Sequence, residues 1–240
     1  MSAQLTKAST QWFDLGAALP ALQNVAEATL VCWATYNGGS VTEDRLISFA
    51  NGLSEANARA TITQRHNAGG VHRVAGRRTD AEAVNAIDGT TVASTTKRHV
   101  VGVFRYSTGS MTLYVDGVQE ATLAIGSWTG NTDNTASLGA ALGGRSDGIG
   151  TLNGLLEGCR VYTRALSAQE ISNLFNARGG DGNVVGLVHR WQLQNGAPGA
   201  TNNGAIDAGI GARNGTPTGT PFITFQNWLA RSHRRRTRSQ

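Results

Sequence analysis

The side chains able to do acid–base or nucleophilic work are few and scattered. Seven Glu are spread along the chain, and none starts a run of carboxylates at strand or helix spacing. Glu43 and Asp44 are adjacent, so on a strand they point to opposite faces and cannot flank one glycosidic bond. The histidines are His66, His72, His99, His189 and His233. No pair of them has HExxH spacing or a Cys partner. His66 and His72 share strand parity but lie across a Gly-Gly turn, so these imidazoles read as surface or core residues and not as metal ligands. Cys32 and Cys159 are the two cysteines. They exclude a disulfide framework and a multi-Cys zinc site, and both fall inside strand-like runs, as buried free thiols do. No G-x-S-x-G elbow occurs. The Gly-Ile-Gly stretches at 148–154 and 208–215 lack the dinucleotide-binding spacing and read as turns.

Two features remain. The last ten residues, RSHRRRTRSQ, hold Arg231, Arg234, Arg235, Arg236 and Arg238 and no acid. Without them, sixteen basic residues balance sixteen acidic ones, so the net charge of +5 belongs to the tail and not to a basic face. Such a tail suits a phosphate, an anionic glycan or an acidic protein patch. The second feature is Trp128, in a Gly-Ser-Trp-Thr-Gly loop, which either stacks on a sugar ring or plugs the end of the core. Trp33 and Trp191 sit in strand-like runs and are expected in the core. Trp228 is expected to anchor the tail through burial.

The elements that must position these residues are mostly strands. Of 240 residues only 15% are charged and 31 are Gly. With Gly, Thr, Asn and Ser prominent, this composition excludes a helical bundle and a disordered chain. No apolar run approaches the length needed to span a membrane, and the first residues lack the apolar stretch of a secretory signal. Synthesis in a reducing cytoplasm is therefore expected. Strand-like runs fall at 28–35, 45–50, 58–65, 70–77, 98–105, 111–116, 118–125, 154–163, 186–193 and 221–225. Asp116-Gly117 between two of them predicts a two-residue hairpin. One helix is predicted: Ser167 and Glu170 form a capping box, and Leu166 with Ile171 a hydrophobic staple. Ile171, Leu174 and Phe175 make its apolar face, and Gly179 is the expected stop. Ten strands and one short helix imply an all-β, two-sheet antiparallel sandwich or jelly roll.

Three stretches resemble one family. NGLLEGCRVYTRALSAQEISNLF (153–175) resembles the closing strand and helix of laminin G-like, concanavalin A-like lectin/glucanase domains. GSMTLYVDGVQEATL (109–123) resembles their Tyr-Val-Asp-Gly hairpin, and AEATLVCWAT (26–35) an early strand with its Trp, here Trp33. A departure follows: VVGLVHRWQLQNGAPG and NGTPTGTPF, within 184–225, resemble an opening strand placed after the closing helix. That stretch is expected to pack on the same sandwich, giving one domain over 1–230 and an Arg-rich tail over 231–240.

The resemblance implies a sandwich that binds glycans or protein surfaces. Some relatives are glycan hydrolases with a Glu-x-Asp-x-x-Glu strand motif, which this chain lacks. Many carry a calcium site on the rim; the candidates here are Asn131, Asp133 and Asn134, or Ser146 and Asp147, which Asx turns explain equally. Neither a catalytic residue nor a cofactor is expected. The first expectation is a non-catalytic structural or decoration protein of an assembled particle such as a bacteriophage-type virion. Its partners would be protein neighbours in a homo-oligomer or capsid-type lattice, with the tail as the docking element. The alternative is a glycan-binding, lectin-like adhesion module, and the third reading is a glycoside hydrolase.

Overall fold

The computed structural model describes residues 2–6, 11–16, 20–38, 43–50, 58–64, 69–135, 139–180, 182–193, 216–218 and 222–224. The chain enters through β1 (Ser2–Leu5), β2 (Trp12–Gly16), β3 (Glu27–Ala34), β4 (Arg45–Ala50) and β5 (Ala58–Gln64). It continues with β6 (Val71–Gly76), β7 (Asn85–Val92), β8 (Arg98–Arg105), β9 (Ser110–Val115), β10 (Val118–Ala124), β11 (Gly139–Leu142) and β12 (Gly154–Tyr162). The helix α1 (Ala168–Asn176) precedes β13 (Leu187–Trp191), β14 (Thr216–Thr218) and β15 (Phe222–Thr224).

Two antiparallel sheets result. One runs β10-β9-β8-β3-β12-β1-β15, with β13 also on β12; the other runs β14-β2-β11-β4-β5-β6-β7. The strand runs read from the sequence all recur. Five further strands, β1, β2, β7, β11 and β14, complete the sheets. From the stretch 184–225, β13 pairs with β12, β14 with β2 and β15 with β1. The rest of that stretch beyond residue 193, the 230/231 boundary and the tail lie outside the described residues.

Alternation along each strand decides what is buried. Leu30, Cys32, Val100, Phe104, Leu113 and Leu156 of one sheet face Phe13, Leu46, Phe49, Ile62 and Val74 of the other in a single core. The opposite parity of the eight-stranded sheet is apolar too. Val31, Trp33, Val101, Val103, Tyr114 and Tyr162 form a second cluster with Ile171 and Leu174 of α1. That double coverage explains why β3 and β8 read as near-continuous apolar runs: one face meets the other sheet and the other meets the helix.

The helix starts as its sequence dictates. Ser167 Oγ accepts from the Glu170 amide at 3.2 Å, and the Ser167 amide donates back to the Glu170 carboxylate at 2.8 Å. Arg164 donates to the same carboxylate at 3.0 and 2.6 Å. This pairing, first of all, pulls the Glu170 carboxyl down to about 2. The helix ends at Asn176, and Arg178, with φ +51°, takes the left-handed turn just ahead of Gly179. At the free side of the sandwich, Glu120 of β10 accepts from the Thr90 and Thr91 amides of β7 at 2.9 and 3.2 Å, tying the edges of the two sheets together.

Candidate functional site

Where β3 ends and β8 begins, the outer face of the eight-stranded sheet opens into a cleft of about 300 Å3. Trp33, Thr96, Lys97, Arg98, Asp116, Phe175, Asn176 and Arg178 line it. Four separate stretches supply them. Trp33 is the penultimate residue of β3 and lies opposite His99 of β8, which puts Arg98 opposite Ala34 at the mouth. Thr96 and Lys97 belong to the β7–β8 connection. Phe175, Asn176 and Arg178 come from the end of α1. Asp116 is the first residue of the β9–β10 turn; it and Gly117 both have positive φ, +51° and +82°, as the predicted hairpin requires. Glycine is needed at 117 for a second reason. A Cβ there would stand 3.2–3.3 Å from the Phe175 side chain and 3.4 Å from the Ser172 backbone, so a larger residue would press the turn against the helix as well as strain its backbone.

The polar groups of the cleft are held in place. Asp116 accepts from the His99 amide at 2.9 Å and from Arg98 at 2.6 Å, which fixes the guanidinium at the rim. Lys97 pairs with Glu157 of β12. Thr96, Asn176 and Arg178 are exposed, and Phe175 is half-buried. Beneath the surface His99 lies between two of the lining rings, 4.2 Å from Trp33 and 5.8 Å from Phe175 between centroids. Its ring is fully buried and neither nitrogen has a protein partner. Burial, helped by the nearby Arg160 charge, lowers its pKa to about 3. The floor is thus an uncharged aromatic stack, and cations and amides surround it. Such a combination can hold a ligand with an apolar face and a polar edge.

Of the residues singled out in the sequence, the cleft takes in Trp33. Trp128 is 1% exposed and packs on Tyr106 at 4.9 Å in the main core, so it plugs the sandwich end and offers no ring face to a sugar. Trp33 is 7% exposed and belongs to the buried cluster beneath α1, as expected for the core; it also lines the cleft, where Phe175 is the more exposed ring. Trp191 is buried against His189, as expected for the core. Cys32 and Cys159 are buried thiols, and desolvation raises both far above the ordinary thiol range. Arg231, Arg234, Arg235, Arg236, Arg238 and Trp228 lie outside the described residues.

The calcium candidates are engaged in contacts between loops. Asn131 Nδ2 donates to the Asn24 carbonyl and side chain at 3.2 and 3.1 Å, Asp133 accepts from the Asp80 amide, and Asn134 accepts from Gln23. The Asp147 carboxylate is taken by Arg145 and by the Ile149 amide. Those oxygens knit loops together. Among the described residues no three His, Cys, Asp or Glu side chains gather at one point.

A second set of arginines occupies the outer face of the seven-stranded sheet. Arg59 has a fully buried side chain and grips Asp80 at 3.3 and 2.9 Å and Thr135 Oγ1 at 2.6 Å. Arg77 adds a third hydrogen bond to Asp80 at 3.1 Å. Arg73 pairs with Glu43 and Asp88. These groups are bound to one another, so the face carries a network and not an open site.

Comparison with known proteins agrees with this architecture. The family model described as "Concanavalin A-like lectin/glucanases superfamily" matches residues 7–172, more than half of the chain, and the chain belongs to that superfamily. A search of curated proteins finds no match. Among solved structures, the chain is similar to a Bacteroides ovatus protein studied as a candidate carbohydrate-binding protein. The TM-score is 0.68 at 19% identity, over 94% of this chain and 60% of that one, so this chain spans less than two thirds of its length. It is also similar to a heptameric SAP-like pentraxin from Limulus polyphemus: TM-score 0.54, 17% identity, 73% of this chain and 81% of that one. A third is the CBM40 domain of the Ruminococcus gnavus IT-sialidase, solved with α2,3-sialyllactose: TM-score 0.52, 19% identity, 63% and 84%. At these identities the likeness is one of fold.

Proposed function

We propose that this member of the superfamily is a non-catalytic glycan-binding module and that the cleft at the end of β3 is its ligand site. One observation carries the reading. Trp33 and Phe175 sit beside Lys97, Arg98, Asn176 and Arg178, with Asp116 as the single carboxylate among the described lining residues, itself paired with Arg98. The half-buried Phe175 ring would take the apolar face of a sugar, with the 7%-exposed Trp33 behind it, and amide and guanidinium groups its hydroxyls. Hydrolysis needs two carboxyl groups about 5–9.5 Å apart across the scissile bond, and the lining supplies one. A similar structure solved with α2,3-sialyllactose and another studied as a candidate carbohydrate-binding protein support the same reading. The virion-decoration expectation rests on sequence features alone, the Arg-rich tail among them. Neither the fold nor the comparisons lend it support, and the glycan reading takes its place.

The test is titration of the full chain with neutral and acidic oligosaccharides, α2,3-sialyllactose included, by calorimetry and by reducing-end assay. Saturable binding that Phe175→Ala weakens, without release of reducing ends, is the expected result. Hydrolysis abolished by Asp116→Asn would overturn it, as would binding that Phe175→Ala and Arg178→Ala leave unchanged.

A further inference from the structure

The chain has two cysteines in 240 residues, and the fold brings both to one place. β12 runs beside β3 with Leu156 opposite Ala34 and Glu157 opposite Trp33, and then resumes with Arg160 opposite Val31. Gly158 and Cys159 therefore share the position opposite Cys32. Gly158 has φ +58°, the left-handed conformation that such a bulge requires and glycine adopts freely. Both cysteines are fully buried and face the same core cluster between the sheets. In a regular antiparallel ladder opposed Cα atoms are about 4.5–5.5 Å apart, and at this bulge, where two residues share one partner, Cys159 lies near that spacing and not on it. A disulfide spans about 4.4–6.8 Å.

We propose that Cys32 and Cys159 are a cross-strand disulfide pair, closed when the chain folds in an oxidising compartment. The oxidant is a small-molecule disulfide of the glutathione type. One Cys thiolate attacks it and releases one thiol, and the second Cys attacks the resulting mixed disulfide and releases the other. Two protein S–H bonds are lost, one Sγ–Sγ bond forms, and the external disulfide is reduced to two thiols. The reaction belongs to folding, before β12 docks, because in the finished sandwich desolvation holds both thiols protonated and the core excludes the oxidant. The bond would join β3 to β12, the two central strands under the cleft. It would also replace the cytoplasmic expectation with folding outside the reducing cytosol, where glycans are displayed.

The experiment refolds the full chain from denaturant, once with a glutathione/glutathione-disulfide buffer and once with reductant. Expected from the first are no thiols titratable in denaturant, a proteolytic peptide pair joined through Cys32 and Cys159, and a native near-ultraviolet spectrum. The cross-linked form should resist urea better, with an unfolding constant lower on the order of 10²-fold. The Cys32→Ala and Cys159→Ala variants should each carry a glutathione adduct or one free thiol. Two titratable thiols in the natively refolded wild-type chain would overturn the proposal without recourse to any variant. So would a cross-linked chain with a lower urea midpoint than the reduced one.

Discussion

The outer faces of the two sheets both carry arginine–carboxylate pairs, set in different surroundings. On the seven-stranded sheet, Arg59 is sealed under the 77–82 and 131–135 loops with Asp80, Thr135 and Arg77 around it, and its side chain is 0% exposed. On the eight-stranded sheet, Arg98 is 31% exposed, holds one carboxylate, and stands at the rim of an aromatic floor. A sealed pair cannot trade its partner for a ligand without unfolding the loops over it. A rim pair can turn part of its hydrogen-bonding capacity towards solvent or a sugar at small cost. Ion-pair counts would rank the first face higher as an anion site; burial reverses the ranking.

That contrast is open to direct attack. The largest effect is expected on the sealed face. Asp80→Ala leaves the Arg59 charge buried without its carboxylate and should destabilise the fold by about 3–5 kcal/mol in urea unfolding. Glycan affinity of the folded fraction should stay unchanged. Loss of binding at wild-type stability would break the comparison.

Acid should act on the other face, through His99. Its folded pKa of about 3 lies below the ordinary 6.5, so the unfolded chain takes up a proton that the folded chain refuses. Stability is therefore full above pH 6.5 and falls as pH drops towards 3, by about 1.4 kcal/mol per pH unit, or roughly 2 kcal/mol by pH 5. His72, lowered to about 4 by burial, adds a slope of the same sign. Urea midpoints against pH check this, and His99→Phe should remove its share of the slope and leave the share that His72 contributes. An unchanged profile would mean that the imidazole is not desolvated beneath the cleft.

Phe175→Ala should weaken glycan binding about tenfold, near 1.4 kcal/mol, and should also lower stability by about 1–2 kcal/mol because the ring is half-buried against His99. Unlike Asp80→Ala, it should lower the affinity of the folded fraction. The smallest effect belongs to the helix start that carries Phe175. Ser167→Ala should cost about 1 kcal/mol in thermal or urea unfolding. The Glu170 share of that cap is present above its ordinary pKa of 4.5 and is lost as pH falls through about 2.

How much of this was legible in the residues depended on how local the cause was. The capping box at Ser167–Glu170 and the Asp116-Gly117 turn are specified within four residues, and both formed where the sequence placed them. The strands with dense β-branched and aromatic residues were equally plain. β11 was not, because Gly-Ala-Ala-Leu has no strand preference of its own; it is a strand because β2 and β4 hold it from both sides. β7, Asn-Ala-Ile-Asp-Gly-Thr-Thr-Val, hides behind turn-forming Asn, Asp and Gly, and Glu120 of another sheet clamps its amides. The site was the least legible part. Trp33 and Phe175 are 142 positions apart in the sequence and meet only through the packing of α1 on β3. Trp128, in a loop of small polar residues, looked like the accessible ring, yet the loop folds inward and buries it against Tyr106.

The pairing of the outermost strands sets a timetable for synthesis. Ser2 lies opposite Thr224, and Trp12 opposite Thr218. A ribosome must therefore add almost the last strand residues before either sheet can acquire its border. Until then β1 and β2 each keep one row of backbone amides and carbonyls unmatched, a template for a neighbouring nascent chain. At about 5–20 residues per second, that interval lasts on the order of ten seconds or more. Crowded polysomes would raise the chance of such pairing within that interval, and a holdase that shields the first strands would lower it.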